Sequence, residues 1–115
     1  MKKIRYSQDY KEKIQKMRRY LDAQFGNAKR VEIFKTINSR IKSIREHEDI
    51  GISVREMFNV DTDYQYIYAA KNYIFYRIDE TDIYIVNIYD EREDFMWKLF
   101  GIRTLSQETE DYWKE

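Results

Sequence analysis

The chain predicts an α+β fold: an N-terminal strand, an αα-hairpin packed on an antiparallel sheet of about four strands, and a short C-terminal helix. Three observations carry this. Tyr10, Ile14, Met17 and Leu21, and then Val31, Phe34, Ile37, Ile41 and Ile44, recur every three or four residues, the period of two amphipathic helices. The Gly26-Asn27 link between them is short enough to fold one helix back on the other. Two runs rich in aromatic and β-branched residues, 72–78 and 82–89, flank Asp79-Glu80-Thr81 and read as a β-hairpin.

Each element has a local reason. Residues 2–6, centred on Ile4, form a short first strand. Ser7 is placed to cap the helix that follows, with Asp9 in its first turn. Gly26 closes that helix where positive φ is favoured, and Asn27 caps the next, which runs to about His47. Residues 48–53 form a loop pivoting at Gly51, and 54–60 fit either a strand or a turn of helix. Asp61-Thr62-Asp63 is a turn signal before a strand over 64–70. The strands at 72–78 and 82–89 lack clean apolar and polar alternation, which places them centrally with both faces buried. Residues 94–100 carry Phe95, Trp97, Leu99 and Phe100 on a helical pattern closed by Gly101. Residues 1–102 therefore read as a single domain, and 103–115 as an acidic tail.

Composition narrows the chemistry. Cys is absent, which removes disulfides, thiolate metal sites and thiol nucleophiles, and fits a reducing cytoplasm. Neither a membrane-spanning run nor a secretory signal is expected. Net charge is zero, with 37% charged residues, so no overall basicity argues for nucleic acid. The basic residues nevertheless gather over 5–46 and the acidic ones towards the C-terminus. Asp79, Glu80 and Asp82 are better explained by the hairpin turn than by a metal, and no cofactor is expected.

Three segments, in this order, carry a family resemblance. SQDYKEKIQKMRRYL after the opening strand, KNYIFYRID, and IYDEREDFMWKLFGI together resemble the RelE/ParE superfamily of bacterial type II toxins, over about residues 2–102. The resemblance implies a growth-inhibiting toxin neutralised by a cognate antitoxin protein. It implies one of two targets: mRNA on the ribosome, cut by a metal-independent endoribonuclease, or DNA gyrase, inhibited without hydrolysis. A degenerate, non-toxic interaction module of the same fold is a third reading.

RNA cleavage by a 2′-hydroxyl requires a base, cations for the phosphorane and an acid for the leaving oxygen. The candidates are Arg92, Tyr89, Arg77 and Lys71, with Arg55 in reserve. Arg92 follows the last strand, where the resemblance puts a phosphate-stabilising arginine. Its plain alternative is a surface ion pair with Glu91, Glu93 or Asp94. Arg77 belongs to the shared Phe-Tyr-Arg signature, which fits a structural ion pair on the sheet better than a catalytic role. Against the nuclease, Tyr73 stands where a second basic residue is wanted. The run DERED would repel RNA, and no His lies near the C-terminus. His47 sits at the end of the second helix, where it reads as a surface or helix-terminal residue.

Overall fold

The computed structural model describes residues 2–93 and Lys98. Apart from Lys98, the closing helix expected over 94–100 lies outside the described residues, as does the acidic tail. The chain runs β1 (Lys3–Tyr6), α1 (Gln8–Phe25), α2 (Asn27–Glu46), a short 3₁₀ turn (Glu48–Ile50), β2 (Ile52–Ser53), α3 (Val54–Phe58), β3 (Gln65–Ala69), β4 (Asn72–Ile78) and β5 (Asp82–Asp90). The α+β architecture stands with two refinements. The sheet has five strands in the order β1-β5-β4-β3-β2, and β1 runs parallel to β5, so the sheet is mixed. The region left open between strand and helix resolves as the single helical turn α3, capped by the Ser53 hydroxyl and closed by Asn59 in the left-handed conformation.

The helical hairpin covers one face of the sheet. Tyr10 and Leu21 of α1 are buried, with Ile14 and Met17 half-buried beside them, as their spacing predicts. Ile37, Ile41 and Ile44 of α2 have almost no exposed surface. Each such side chain contributes about 1.5–3 kcal/mol on burial. Val31 departs from expectation and is exposed. Each three-residue step rotates a helical stripe backwards by about 60°, so two steps from Ile37 carry Val31 onto the flank. Ile33 packs against the core instead. The cap of α2 also differs: Gly26 is the cap residue, at φ 86° and ψ 173°, a positive-φ region outside the left-handed helix. Its carbonyl receives the Arg30 N–H, while the Asn27 side chain accepts from the Arg30 guanidinium. Nothing lies near a Cβ built on Gly26, so glycine is required there by backbone conformation and not by space.

The second face of the sheet carries its own cluster, Val54, Tyr66, Phe75 and Tyr89, with the Phe75 and Tyr89 rings edge to face at 5.9 Å. Burial on both faces confirms β4 and β5 as central strands. A bulge adds to the irregular sequence pattern. Phe75 faces Asn87 and Tyr76 faces Ile85, so Val86 is an extra residue in β5. Ile83 and Ile85 point to the helices before it, and Ile88 points there after it. The inward parity therefore switches from odd to even within one strand.

Two backbone features constrain the rest. Gly51 passes against β4: its N–H donates to the Tyr76 hydroxyl at 2.9 Å. That hydroxyl also lies within hydrogen-bond distance of the Glu48 carbonyl and of Gln65 Oε1. Burial pushes the phenol up to about 12, so it stays protonated and able to donate. The β3–β4 connection is a two-residue turn, Ala70-Lys71, flanked by the Ala69–Asn72 pair. Both turn residues have positive φ, 50° and 63°. This is a type I′ geometry, which favours Asn-Gly, built here from two residues with a Cβ.

A Cβ on Gly51 would lie 2.2 Å from the Tyr76 hydroxyl oxygen. Gly51→Ala is expected to destabilise by about 1–3 kcal/mol in urea titration. Combined with Tyr76→Phe, it is expected to cost less than the sum of the two single changes, because they act on one contact. Ala70→Asn with Lys71→Gly is expected to move the other way, raising stability by about 1–2 kcal/mol in the same titration.

Candidate functional site

β1 stops at Tyr6, but β5 runs on to Asp90, so the last part of β5 has no strand neighbour on that side. The start of α1 covers this edge. Ser7 donates its backbone N–H to the Ile85 carbonyl and its hydroxyl to the Val86 carbonyl, while accepting the Tyr10 N–H as helix cap. Nearly two turns after Ser7, Lys13 Nζ donates to the Ile88 carbonyl at 3.1 Å and lies 3.6 Å from the centre of the Tyr89 ring. Burial lowers the Lys13 pKa, partly countered by Glu93.

Beside this seam lies a groove of about 750 Å³. Met17, Tyr20, Leu21 and Phe25 of α1 and Ile33 of α2 supply its apolar lining, and Ala70, Lys71 and the residues 90–93 form its charged rim. Tyr20 and Phe25 are well exposed, with their rings edge to face at 6.5 Å. Exposed aromatics in contact at a groove are the kind of anchor that protein partners bury.

The rim is a closed hydrogen-bonded turn. The Glu93 N–H donates to the Asp90 carbonyl, and the Asp90 N–H returns to the Glu93 carboxylate. Asp90 Oδ1 accepts both the Arg92 backbone N–H at 2.9 Å and the Arg92 Nε at 2.8 Å. Among the described residues the Arg92 partner is therefore Asp90, not the Glu91 or Glu93 suggested by proximity in sequence; Asp94 lies outside them. The turn folds the aspartate back under its own guanidinium. The hydrogen bond from Arg92 holds the Asp90 carboxyl below its ordinary range. For Glu93, burial opposes ionisation, but the bonds from Lys98 and from the Asp90 N–H outweigh it and lower its pKa too.

The four residues named from sequence do not assemble. Lys71 and Arg92 are exposed on the groove rim. Tyr89 is buried on the second face of the sheet, its hydroxyl accepting from Asn87 and its pKa raised by burial. Arg77 sits at the other end of β4, five strand positions from Asn72, which is about 17 Å. There it pairs with Asp63 at 3.2 Å. Arg55 is likewise paired, with Asp61. His47 is the exposed cap residue at the end of α2, far in sequence and fold from the rim. Asp79 is used by its turn: Oδ1 accepts the N–H groups of Thr81 and Asp82, and chiefly the Asp82 bond lowers its pKa. Lys13 was hidden among the basic residues of α1. Its one sequence signal is its position two turns after the Ser7 cap, on the flank that the first strand leaves open.

The carboxyls of Asp79, Asp90 and Glu93 all have folded pKa values below their ordinary ones. Such groups add stability that is fully present above the unfolded values, near 4, and lost as pH falls through the folded ones. The urea midpoint is expected to hold from pH 7 to about 5 and to fall below pH 4. Asp79→Asn with Asp90→Asn should flatten that fall.

Comparison with known proteins agrees with this fold. A family model described as the ParE toxin of the type II toxin–antitoxin system, parDE, matches residues 4–95, from β1 through the rim turn. Among solved structures, a chromosomal ParDE toxin–antitoxin system from P. aeruginosa is similar in fold, at TM-score 0.64 and 11% identity, over 78% of this chain and 96% of that one. No curated protein matches it in sequence. No helix among the described residues is long and apolar enough to cross a membrane. With a family model spanning most of its length, the chain belongs to the ParE toxin family of type II toxin–antitoxin systems.

Proposed function

We propose that this protein is the growth-inhibiting member of a toxin–antitoxin pair, that it acts by binding DNA gyrase, and that it does not hydrolyse RNA. One observation carries the choice of target: the groups a ribonuclease would need are separated or already engaged. The Arg92 guanidinium is held on Asp90, Arg77 is paired about 17 Å away along β4, and Tyr89 is buried against Phe75. A phosphorane at the rim would find Arg92 already neutralised and Lys71 as the other exposed cation, among Asp90, Glu91 and Glu93. The cognate antitoxin would cover the groove between α1 and the end of β5. Tyr20 and Phe25 offer apolar anchors there, and the mixed charges of Lys16, Lys71, Asp90 and Glu91 offer register.

Inducing the chain alone is expected to stop growth, and co-expression with its antitoxin to restore it. Purified protein should inhibit gyrase supercoiling and leave mRNA intact in a translating extract. Arg92→Ala should keep at least half of the toxicity. Ribosome-dependent mRNA cleavage abolished by Arg92→Ala would establish the endoribonuclease reading instead. Normal growth under full induction would leave only the non-toxic module.

A further inference from the structure

The net charge of zero conceals a separation. Residues 8–46, the helical hairpin, hold eleven Lys and Arg against five Asp and Glu, whereas residues 47–93 hold four against eleven. The two groups of cations are also used differently. Three of the four in residues 47–93, Arg55, Arg77 and Arg92, each pair with a carboxylate, while Lys71 lies exposed on the groove rim. Among the described residues, the hairpin's ion pairs are Arg30–Asp22 and Lys29–Glu32, which leaves Lys11, Arg18, Lys35 and Lys42 outside any of them.

The register of the helices brings these four together. Arg30 meets Asp22 at 2.7 Å, and the Arg18 guanidinium lies 5.9 Å from the Phe34 ring centre. The residue numbers of both pairs have the same sum, so α1 and α2 run antiparallel in one constant register. Arg18 therefore lies level with Lys35, Gln15 with Asn38, and Lys11 with Lys42, each to within one residue. All six are exposed. Within each helix the two cations are seven residues apart, a rise of about 10.5 Å. The outer surface of the hairpin thus presents two opposed pairs of cations with an amide pair between them. Ser39 and Ser43 extend the polar surface along α2, and Glu46 ends it.

The geometry points to this surface as a docking site for the phosphate backbone of duplex DNA. Lys and Arg interleaved with Ser, Asn and Gln are the side chains that contact phosphate and sugar. The spacing of the cation pairs corresponds to about three steps of a duplex strand at 3.4 Å each. A peptide partner would require an apolar anchor, and the depression along α2 is lined by Lys35, Asn38, Ser39, Lys42, Ser43 and Glu46. A single strand would require stacking rings, and the nearest one, Phe34, is half-buried beneath Arg18. The surface is formed by the outward sides of both helices, whereas the groove described above opens between the hairpin and the sheet. The inference does not depend on gyrase being the target.

The test is fluorescence anisotropy of the intact chain with a labelled 20-base-pair duplex of arbitrary sequence, across a salt series. Four phosphate contacts predict a log–log salt slope of about −3.6. Lys35→Glu with Lys42→Glu should weaken binding more than tenfold and bring the slope to about −1.8. Lys3→Glu with Lys29→Glu makes the same change in net charge elsewhere and should leave both nearly unchanged. Three results would overturn the inference: no binding at 50 mM salt, equal weakening by the two double variants, or tighter binding to single-stranded DNA or polyglutamate than to the duplex.

Discussion

The closure of the β5 edge by the first turn of α1 is the contact on which the rest of the molecule depends. A strand with a free edge leaves unpaired carbonyls that must find donors. Here β1 supplies a partner as far as Ile85, and the chain then turns into a helix whose cap residue serves the strand as well. The Ser7 hydroxyl accepts from its own helix and donates to Val86, the bulged residue whose carbonyl falls outside the regular ladder. Lys13 supplies the next donor. These bonds fix the position of α1 over the sheet, α2 follows through the tight link at Gly26, and the groove is the space left where the helices diverge from the end of β5.

Much of this was legible because it is local. The Ser7 cap, the stripes of both helices, the Asp79 turn and the central strands follow from residue type and spacing. What escaped depends on tertiary context. The Ala70-Lys71 turn carries no Gly or Asn to announce it, because its conformation is imposed from outside. The Asn72 side chain holds the Ala70 carbonyl, and the Glu91 N–H holds that of Lys71. The bulge at Val86 is invisible in a run of strand-forming residues interrupted only by Asn87, which carries no turn signal of its own. The parallel pairing of β1 was equally hidden, since nothing in five residues indicates which distant strand they will join.

The candidate site residues are dispersed in the fold for a related reason. Tyr89, Arg92, Arg77 and Lys71 lie within 22 residues of one another, and proximity along the chain suggested proximity in space. A hairpin converts that proximity into opposition. Arg77 is near the turn and Arg92 is beyond the open end, so the full length of β4 separates them. Alternation does the same across the sheet, placing Tyr89 on the face away from the hairpin. Arg92 was correctly placed after the last strand, but its chemistry was decided by Asp90, whose carboxylate the turn folds beneath it. A guanidinium held by one carboxylate in a bidentate turn is poorly disposed to receive a phosphate unless that pair opens.

The chain breaks its own local rules in two places, and both border the groove. Lys13 is a partly buried ammonium on an otherwise solvated helix surface. Ala70 and Lys71 occupy a left-handed turn that costs of order 1 kcal/mol or more at each residue. Neither departure is needed to complete a hydrophobic core: the Lys13 bond could be replaced by water, and Asn-Gly would make the same turn without strain. Sequences that specify one fold keep local preference and tertiary structure in agreement, and they depart from it where a surface serves another purpose. Strain and a desolvated cation both border one apolar groove in which Tyr20 and Phe25 are exposed, which supports the proposed docking of a partner there, whereas the paired arginines on the sheet conform to ordinary surface chemistry.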